Sequence, residues 1–298
     1  MTGPAAALLP DGRRLHLQHG PIDLIIDVDG DRQAAYAAAQ ARFATVLAEL
    51  VGELPALRSP CPPEGRSFAG AIARRMEAAV RPHAAAGLFV TPMAAVAGSV
   101  AEEVLTAILA ALDAAGRPPA RAYVNNGGDI ALYLAAGQRF DLAVARVEDG
   151  GGHGRVRIEA ADPVRGVATS GRGGRSFSLG IAEAVTVLAD RAGAADVAAT
   201  LLGNAVDLPG HAAIRRVPAR ELDPDSDLGD RPVVTGCGRL AAAEVADALE
   251  RGLQAAERMR AAGLIHAAAL FLQGESRVAA PADRAMLAGA PDRPSSQG

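Results

Sequence analysis

The sequence predicts an α+β fold in which antiparallel sheets pack against helices. Three observations carry this. Short runs that alternate apolar and polar residues stand beside long stretches of helical periodicity. Turn signals join neighbouring strand-like runs into hairpins more often than into strand–helix–strand units. No Gly-x-Gly-x-x-Gly opens a helix directly after a strand, which argues against a doubly wound dinucleotide fold. The chain has 298 residues and no tandem repeat. We expect one domain over residues 1–278 and a disordered Ala/Pro/Gly/Ser-rich tail over residues 279–298.

The elements follow in order. Leu15, Leu17, Ile22, Leu24, Ile26 and Val28 alternate around Gly20-Pro21 and predict a hairpin. Asp29-Gly30-Asp31 ends it and caps a helix over residues 32–54, with apolar positions at Ala35, Ala39, Phe43, Val46, Leu47 and Leu50. A Pro-rich loop at 59–63 precedes a helix over 67–80 and a short strand over 87–90 closed by Pro92. An alanine-rich helix spans 96–115 and stops at Gly116-Arg117-Pro118-Pro119. Strands are then expected at 121–125, 130–134, 140–147, 155–159, 164–169 and 184–188, and a helix at 194–205. Residues 206–230 read as irregular, with an acidic turn from Asp223 to Asp230; a helix over 241–262 and a strand over 264–272 complete the series.

Composition excludes several kinds of chemistry. All 30 basic residues are arginine and lysine is absent, so Schiff-base, pyridoxal-phosphate and P-loop lysine mechanisms are ruled out. The net charge of −4, with 3% aromatic residues and no Trp, argues against a nucleic-acid partner. Cys61 and Cys237 lack a CxxC context and read as buried free thiols. No uninterrupted apolar run has the ~18 residues of a membrane span, so no membrane partner is expected. Residues 1–14 reach charge before any apolar signal core, and a cytoplasmic location is expected.

Three segments carry candidate chemistry. In Asn125-Asn126-Gly127-Gly128-Asp129, side-chain-free backbone lets a flat or phosphorylated ligand approach, with Asp129 as a polar anchor; the alternative is a plain hairpin turn. In Thr169-Ser170-Gly171-Arg172-Gly173-Gly174-Arg175-Ser176, successive amides form an anion nest and two arginines add phosphate-matching donors; the alternative is a flexible hairpin loop. Asp196 and Thr200 stand four residues apart on one helix face and offer hard oxygen ligands, or form an ordinary helix surface. Glu183 is an acid/base candidate, with a solvent-facing residue as the alternative; Arg172 and Ser170 complete the catalytic candidates. The acidic turn is a cation site or a solvated loop. His16, His19, His83, His153, His211 and His266 read as surface or structural.

Taken together, Asn-x-Gly-Gly-Asp, Val-Ala-Thr-Ser-Gly, Val-Thr-Val and Ala-Asp-x-x-x-Thr, in that order, resemble the ApbE superfamily of FAD:protein FMN transferases. Gly166–Ser176, Gly180–Val187, Asp225–Asp230 and Gly263-Leu264-Ile265 resemble its UPF0280 branch more closely still. The resemblance implies a T-fold-like architecture, a homo-oligomer, and a site for FAD or FMN or another nucleotide or pterin-like ligand. It implies Mg²⁺ at Asp196 and Thr200, and ligand contacts at Asn126, Gly127, Gly128, Asp129, Thr169, Ser170, Gly171, Arg172, Arg175 and Ser176. Two departures stand out. The transferases follow Thr-Ser-Gly with a His-x-x-Asp-Pro segment, and residues 171–185 here hold neither His nor Asp-Pro. Their Lys-Gly pair falls on Ala97-Gly98. The resemblance thus implies either a Mg²⁺-dependent enzyme acting on a flavin nucleotide, by FMN transfer or FAD hydrolysis, or a flavin-, pterin- or purine-nucleotide-binding protein without transferase activity.

Overall fold

The computed structural model describes residues 3–145, 152–174 and 176–281. Its centre is a nine-stranded antiparallel sheet in the order β1-β2-β3-β4-β5-β8-β9-β12-β13. The first four strands are β1 (Ala5–Leu8), β2 (Leu15–His19), β3 (Ile22–Asp29) and β4 (Arg121–Asn126). The others are β5 (Asp129–Leu134), β8 (Gly166–Ser170), β9 (Ala184–Ala189), β12 (Ala267–Leu272) and β13 (Glu275–Ala279). Two further hairpins pair β6 (Arg139–Ala145) with β7 (Gly152–Glu159) and β10 (Ile214–Pro218) with β11 (Pro232–Cys237). This is the α+β arrangement of antiparallel sheets on helices that the hairpin-rich pattern implies.

Helices cover one face. The helices are α1 (Arg32–Gly52), α2 (Leu54–Leu57), α3 (Ala71–Ala85), α4 (Val96–Ala114), α5 (Ala192–Ala205), α6 (Ala219–Leu222) and α7 (Ala242–Ala261). A 3₁₀ turn at Pro92–Ala95 leads into α4. The Asp31 carboxylate caps α1 by accepting from Ala34 N at 3.1 Å, and Ala35, Tyr36, Ala39, Phe43, Val46, Leu47 and Leu50 form its buried stripe. That stripe, with α3 and α4, closes one core over β2–β4. A second core joins α5 and α7 to β8, β9 and β12.

Strand β12 shows why the middle of the sheet reads as continuous apolar sequence. Ala268, Leu270 and Leu272 face the α5/α7 core, while Ala267, Ala269 and Phe271 face a third core with Val156 and Ile158 of β7. Both faces are covered, so the alternation carries no polar partner.

Several expectations are corrected. Residues 87–90 form no strand: α3 continues to Ala85, Gly87 turns the chain at φ +81°, and Val90 makes one loop contact by accepting from Cys61 N at 2.9 Å. Helix α3 starts at Ala71 because Glu53 accepts the amides of Ala69 and Gly70 at 2.9 and 2.8 Å and fixes the entry. Residues 206–230, expected to be irregular, contain β10, paired with β11 across a bulge. By length and composition, Pro92–Ala114 is long and apolar enough to cross a membrane, with a mean hydropathy of 1.7 over its most apolar window. Its Glu102 and Glu103 nevertheless pair with Arg75 at 2.7 Å, and its apolar face packs in the first core, as a core helix does. The tail from residue 282 onward lies outside the described residues.

Candidate functional site

A cavity of about 460 Å³ opens where the ends of β4, β8 and α5 meet the start of α4. One wall is the β4–β5 hairpin. Asn126 pairs with Asp129 across the loop Gly127-Gly128, whose φ values are +65° and +115°. Two successive positive φ angles are what a tight hairpin turn needs, and glycine adopts them without strain. The Asn125 side chain accepts from Gly128 N at 2.8 Å and locks the turn. Asn126, Gly127 and Asp129 line the cavity. The Asn126 amide is committed to backbone: Nδ2 donates to Ala97 O at 3.1 Å and Oδ1 accepts from Asp23 N at 3.5 Å. It bolts the sheet to the start of α4.

The floor is acidic. Asp196 is only 9% exposed, and burial, reinforced by the nearby Asp129 carboxylate, pushes its pKa well above the usual carboxylate range. The amides of Gly98, at 2.9 Å, and Ala97 oppose that shift by donating to it. Thr200 lines the same cavity one helical turn later. Among the described residues no three His, Cys, Asp or Glu side chains form a metal-holding cluster. Two carboxylates and a hydroxyl still suit Mg²⁺, which commonly takes one or two protein carboxylates and completes its shell with water and substrate phosphates. The donor set therefore fits the implied ion.

Thr169, Ser170, Gly171 and Ser176 also line the cavity, and three described amides of the expected anion nest turn to the chain itself. The amides of Arg172 and Gly174 donate to the carbonyls of Ala182 and Gly171 at 2.9 and 3.0 Å, and Gly173 N points to Glu183 O at 3.4 Å. These donors are spent on the chain itself because β8 and β9 pair up to Ser170 and Val185, which draws the turn against residues 182–183. Gly171, at φ +142°, sits so close that a Cβ there would lie 2.5 Å from Glu183 O. The Thr169 hydroxyl lies 3.0 Å from that of Thr186 across the strands.

Arg172 and Glu183 do not line the cavity among the described residues. They pair at 3.1 Å, and the other Glu183 oxygen accepts from Gln273 N at 3.0 Å in the β12–β13 turn. Arg175 lies outside the described residues, as does the His153 side chain. No described histidine lines the cavity.

The sequence reading missed one wall and underrated another. Thr91 and Phe89 border the cavity, and the Thr91 hydroxyl donates to Asp227 in the acidic turn. That turn is a cavity wall: Asp223, Asp225 and Asp227 join Asp129 and Asp196, with Arg58 the one basic side chain among the described lining residues. The Thr-Pro step at 91–92 was the available signal, since it marks a helix start whose preceding residues point off the element. Phe177 also lines the cavity, and an aromatic inside a Gly/Ser/Arg loop was its signal.

Comparison with known proteins adds the following. A family profile described as AbpE bacteria matches residues 6–278. A UPF0280 protein of Methanopyrus kandleri is 37% identical over 174 residues, covering 57% of this chain and 64% of that protein. A UPF0280 protein of Methanosarcina acetivorans is 35% identical over 126 residues, covering 39% of this chain and 44% of that one. The matches thus span less than two thirds of these relatives' own length. The crystal structure of an ApbE protein from Thermotoga maritima superposes with a TM-score of 0.50 at 9% identity, covering 89% of this chain and 96% of that one, a likeness of fold.

Proposed function

The chain belongs to the ApbE-like family that includes the UPF0280 proteins, and from that premise we propose that its cavity binds a flavin nucleotide as a Mg²⁺ complex and acts on the diphosphate. The observation that carries this reading is the pairing of the buried Asp196 carboxylate with Asp129 on the cavity floor. Two nearby carboxylates repel each other, and a cation between them relieves the repulsion. Five aspartates against one arginine in the described lining also disfavour a bare anion. A phosphate therefore enters this cavity best in company with a cation. When bound, Mg²⁺ would neutralise diphosphate charge and polarise it. Asp129, Asp196 and Thr200 would supply its protein oxygens, Gly127 the close backbone approach, and Ser170 a hydroxyl donor.

One observation favours a second reading, a nucleotide-binding protein without transfer. Glu183 is tied to Arg172 and Gln273, and no described histidine lines the cavity, so neither supplies a general acid there. Equilibrium dialysis and thermal unfolding with FAD, FMN, pterins and purine nucleotides, each with MgCl₂ or EDTA, test binding; chromatography of the FAD samples tests turnover. We expect FAD to be retained and to raise the melting temperature only with Mg²⁺. FMN release marks the enzyme, and retention of intact FAD marks the binding protein. If neither FAD nor FMN binds at millimolar concentration with Mg²⁺, the flavin reading falls.

A further inference from the structure

The chain has six Phe, three Tyr and no Trp, and of these nine rings only Phe89 and Phe177 line the cavity. They differ in what covers them. The Arg231 guanidinium lies 3.1 Å from the centroid of the Phe89 ring and occupies one of its faces. Among the described residues Phe177 has no such cover and is 39% exposed, one of six large apolar side chains left that open. The backbone just after the ring is held twice. Val234 N donates to Ser178 O at 2.8 Å, and Asn204 Oδ1 accepts from Leu179 N at 2.9 Å, so the segment is pinned to β11 and to the end of α5. Arg231 and Val234 stand just before and inside β11, so contacts at the start of that strand reach the Phe89 ring and the segment that carries Phe177.

Resting on the flavin-nucleotide reading above, we propose that Phe177 is the stacking platform for the ligand's planar heterocycle. A flat aromatic ligand gains from contact with an exposed ring whatever its edge pattern, because every such ring has a π-face. The acidic floor at Asp129 and Asp196 offers nothing of that kind, so the ring end and the phosphate end are recognised by different residues.

The test uses the full chain with MgCl₂ and two probes. FMN binding is followed by quenching of its fluorescence, and Mg²⁺–pyrophosphate, which has no ring, by calorimetry. Phe177→Leu keeps apolar bulk without the ring, and Phe177→Tyr keeps the ring. We expect F177L to weaken FMN by about tenfold or more, F177Y to stay within about threefold of wild type, and pyrophosphate to change by less than about twofold in both. Equal FMN affinity in wild type and F177L overturns the proposal, as does an equal loss for FMN and pyrophosphate, which marks a structural role. Failure of the wild type itself to bind FMN or FAD overturns the flavin reading and this inference together. Indifference at Phe177 in a chain that does bind them overturns only this one.

Discussion

The backbone N–H of Gly98 donates to the Asp196 carboxylate at 2.9 Å, so that the start of α4 grips the buried acid of α5 across 98 residues of sequence. The grip holds Asp196 near Asp129, whose negative charge adds to burial in raising the Asp196 pKa. Asp196→Asn keeps an oxygen for Gly98 and removes the buried charge. We expect it to leave metal-free stability unchanged or raise it by about 1 kcal/mol, and to abolish any stabilisation by Mg²⁺. Urea unfolding with and without MgCl₂ reads both; a variant clearly less stable than wild type without metal contradicts the geometry.

Gly98 itself is predicted to be irreplaceable for a steric reason. A Cβ there would lie 2.3 Å from Ala192 O and 2.9 Å from Gly193 N, where α4 and α5 cross. Helix propensity alone favours Ala over Gly by about 1 kcal/mol. Gly98→Ala should nevertheless destabilise by about 2–3 kcal/mol, because backbone must move to admit the methyl. Gly52→Ala, near the end of α1 with nothing within 4 Å, is the matched control and should be neutral or slightly stabilising. The same sign for both substitutions would contradict the crossing.

How much of this was legible in the sequence depended on whether a residue's partners were local. The α1 stripe and the Gly127-Gly128 turn were readable because periodicity and glycine report on neighbours in the chain. The linked motifs of the resemblance brought Asp129 and Asp196 into one expected site, but their proximity and the part played by Gly98 were not legible in the sequence. Whether the amides of Arg172, Gly173 and Gly174 are free for an anion depends on the carbonyls of residues 182–183 and 171, which sequence does not place beside them. Strand 87–90 failed likewise: an apolar run is a strand only where a neighbour's backbone pairs with it, and the Val90 carbonyl accepts from Cys61 N in a loop while its side chain packs in the first core. The Asp223–Asp230 turn gave no sequence sign that Thr91 would draw Asp227 against the cavity.

Glu183 was a candidate acid/base, and its contacts predict a positioning residue. It holds Arg172 at 3.1 Å and the amide of Gln273, whose φ of +45° marks a strained turn position. Glu183→Ala should cost about 1–3 kcal/mol by leaving a guanidinium and an amide without their partner. Glu183→Gln should cost less and leave FAD affinity unchanged. If E183Q instead abolishes FAD turnover at unchanged affinity and stability, Glu183 is catalytic and this reading of its contacts fails.

His83 supplies the pH dependence. Its side chain is 3% exposed at the end of α3, and burial depresses its pKa from 6.5 to about 4. Between those values the unfolded chain binds a proton at this site and the folded chain does not. Stability contributed by the site is therefore full above pH 6.5 and falls as the pH drops toward 4. The depression corresponds to a loss of up to about 3 kcal/mol at the acid end. Comparing urea midpoints of wild type and His83→Leu from pH 7.5 to 4.5 isolates it, since the other titrating groups are common to both. The two curves should converge, or cross in favour of the variant, as the pH falls. Parallel curves would mean that His83 takes up its proton inside the folded protein at an ordinary pH, and that its pocket admits the charge.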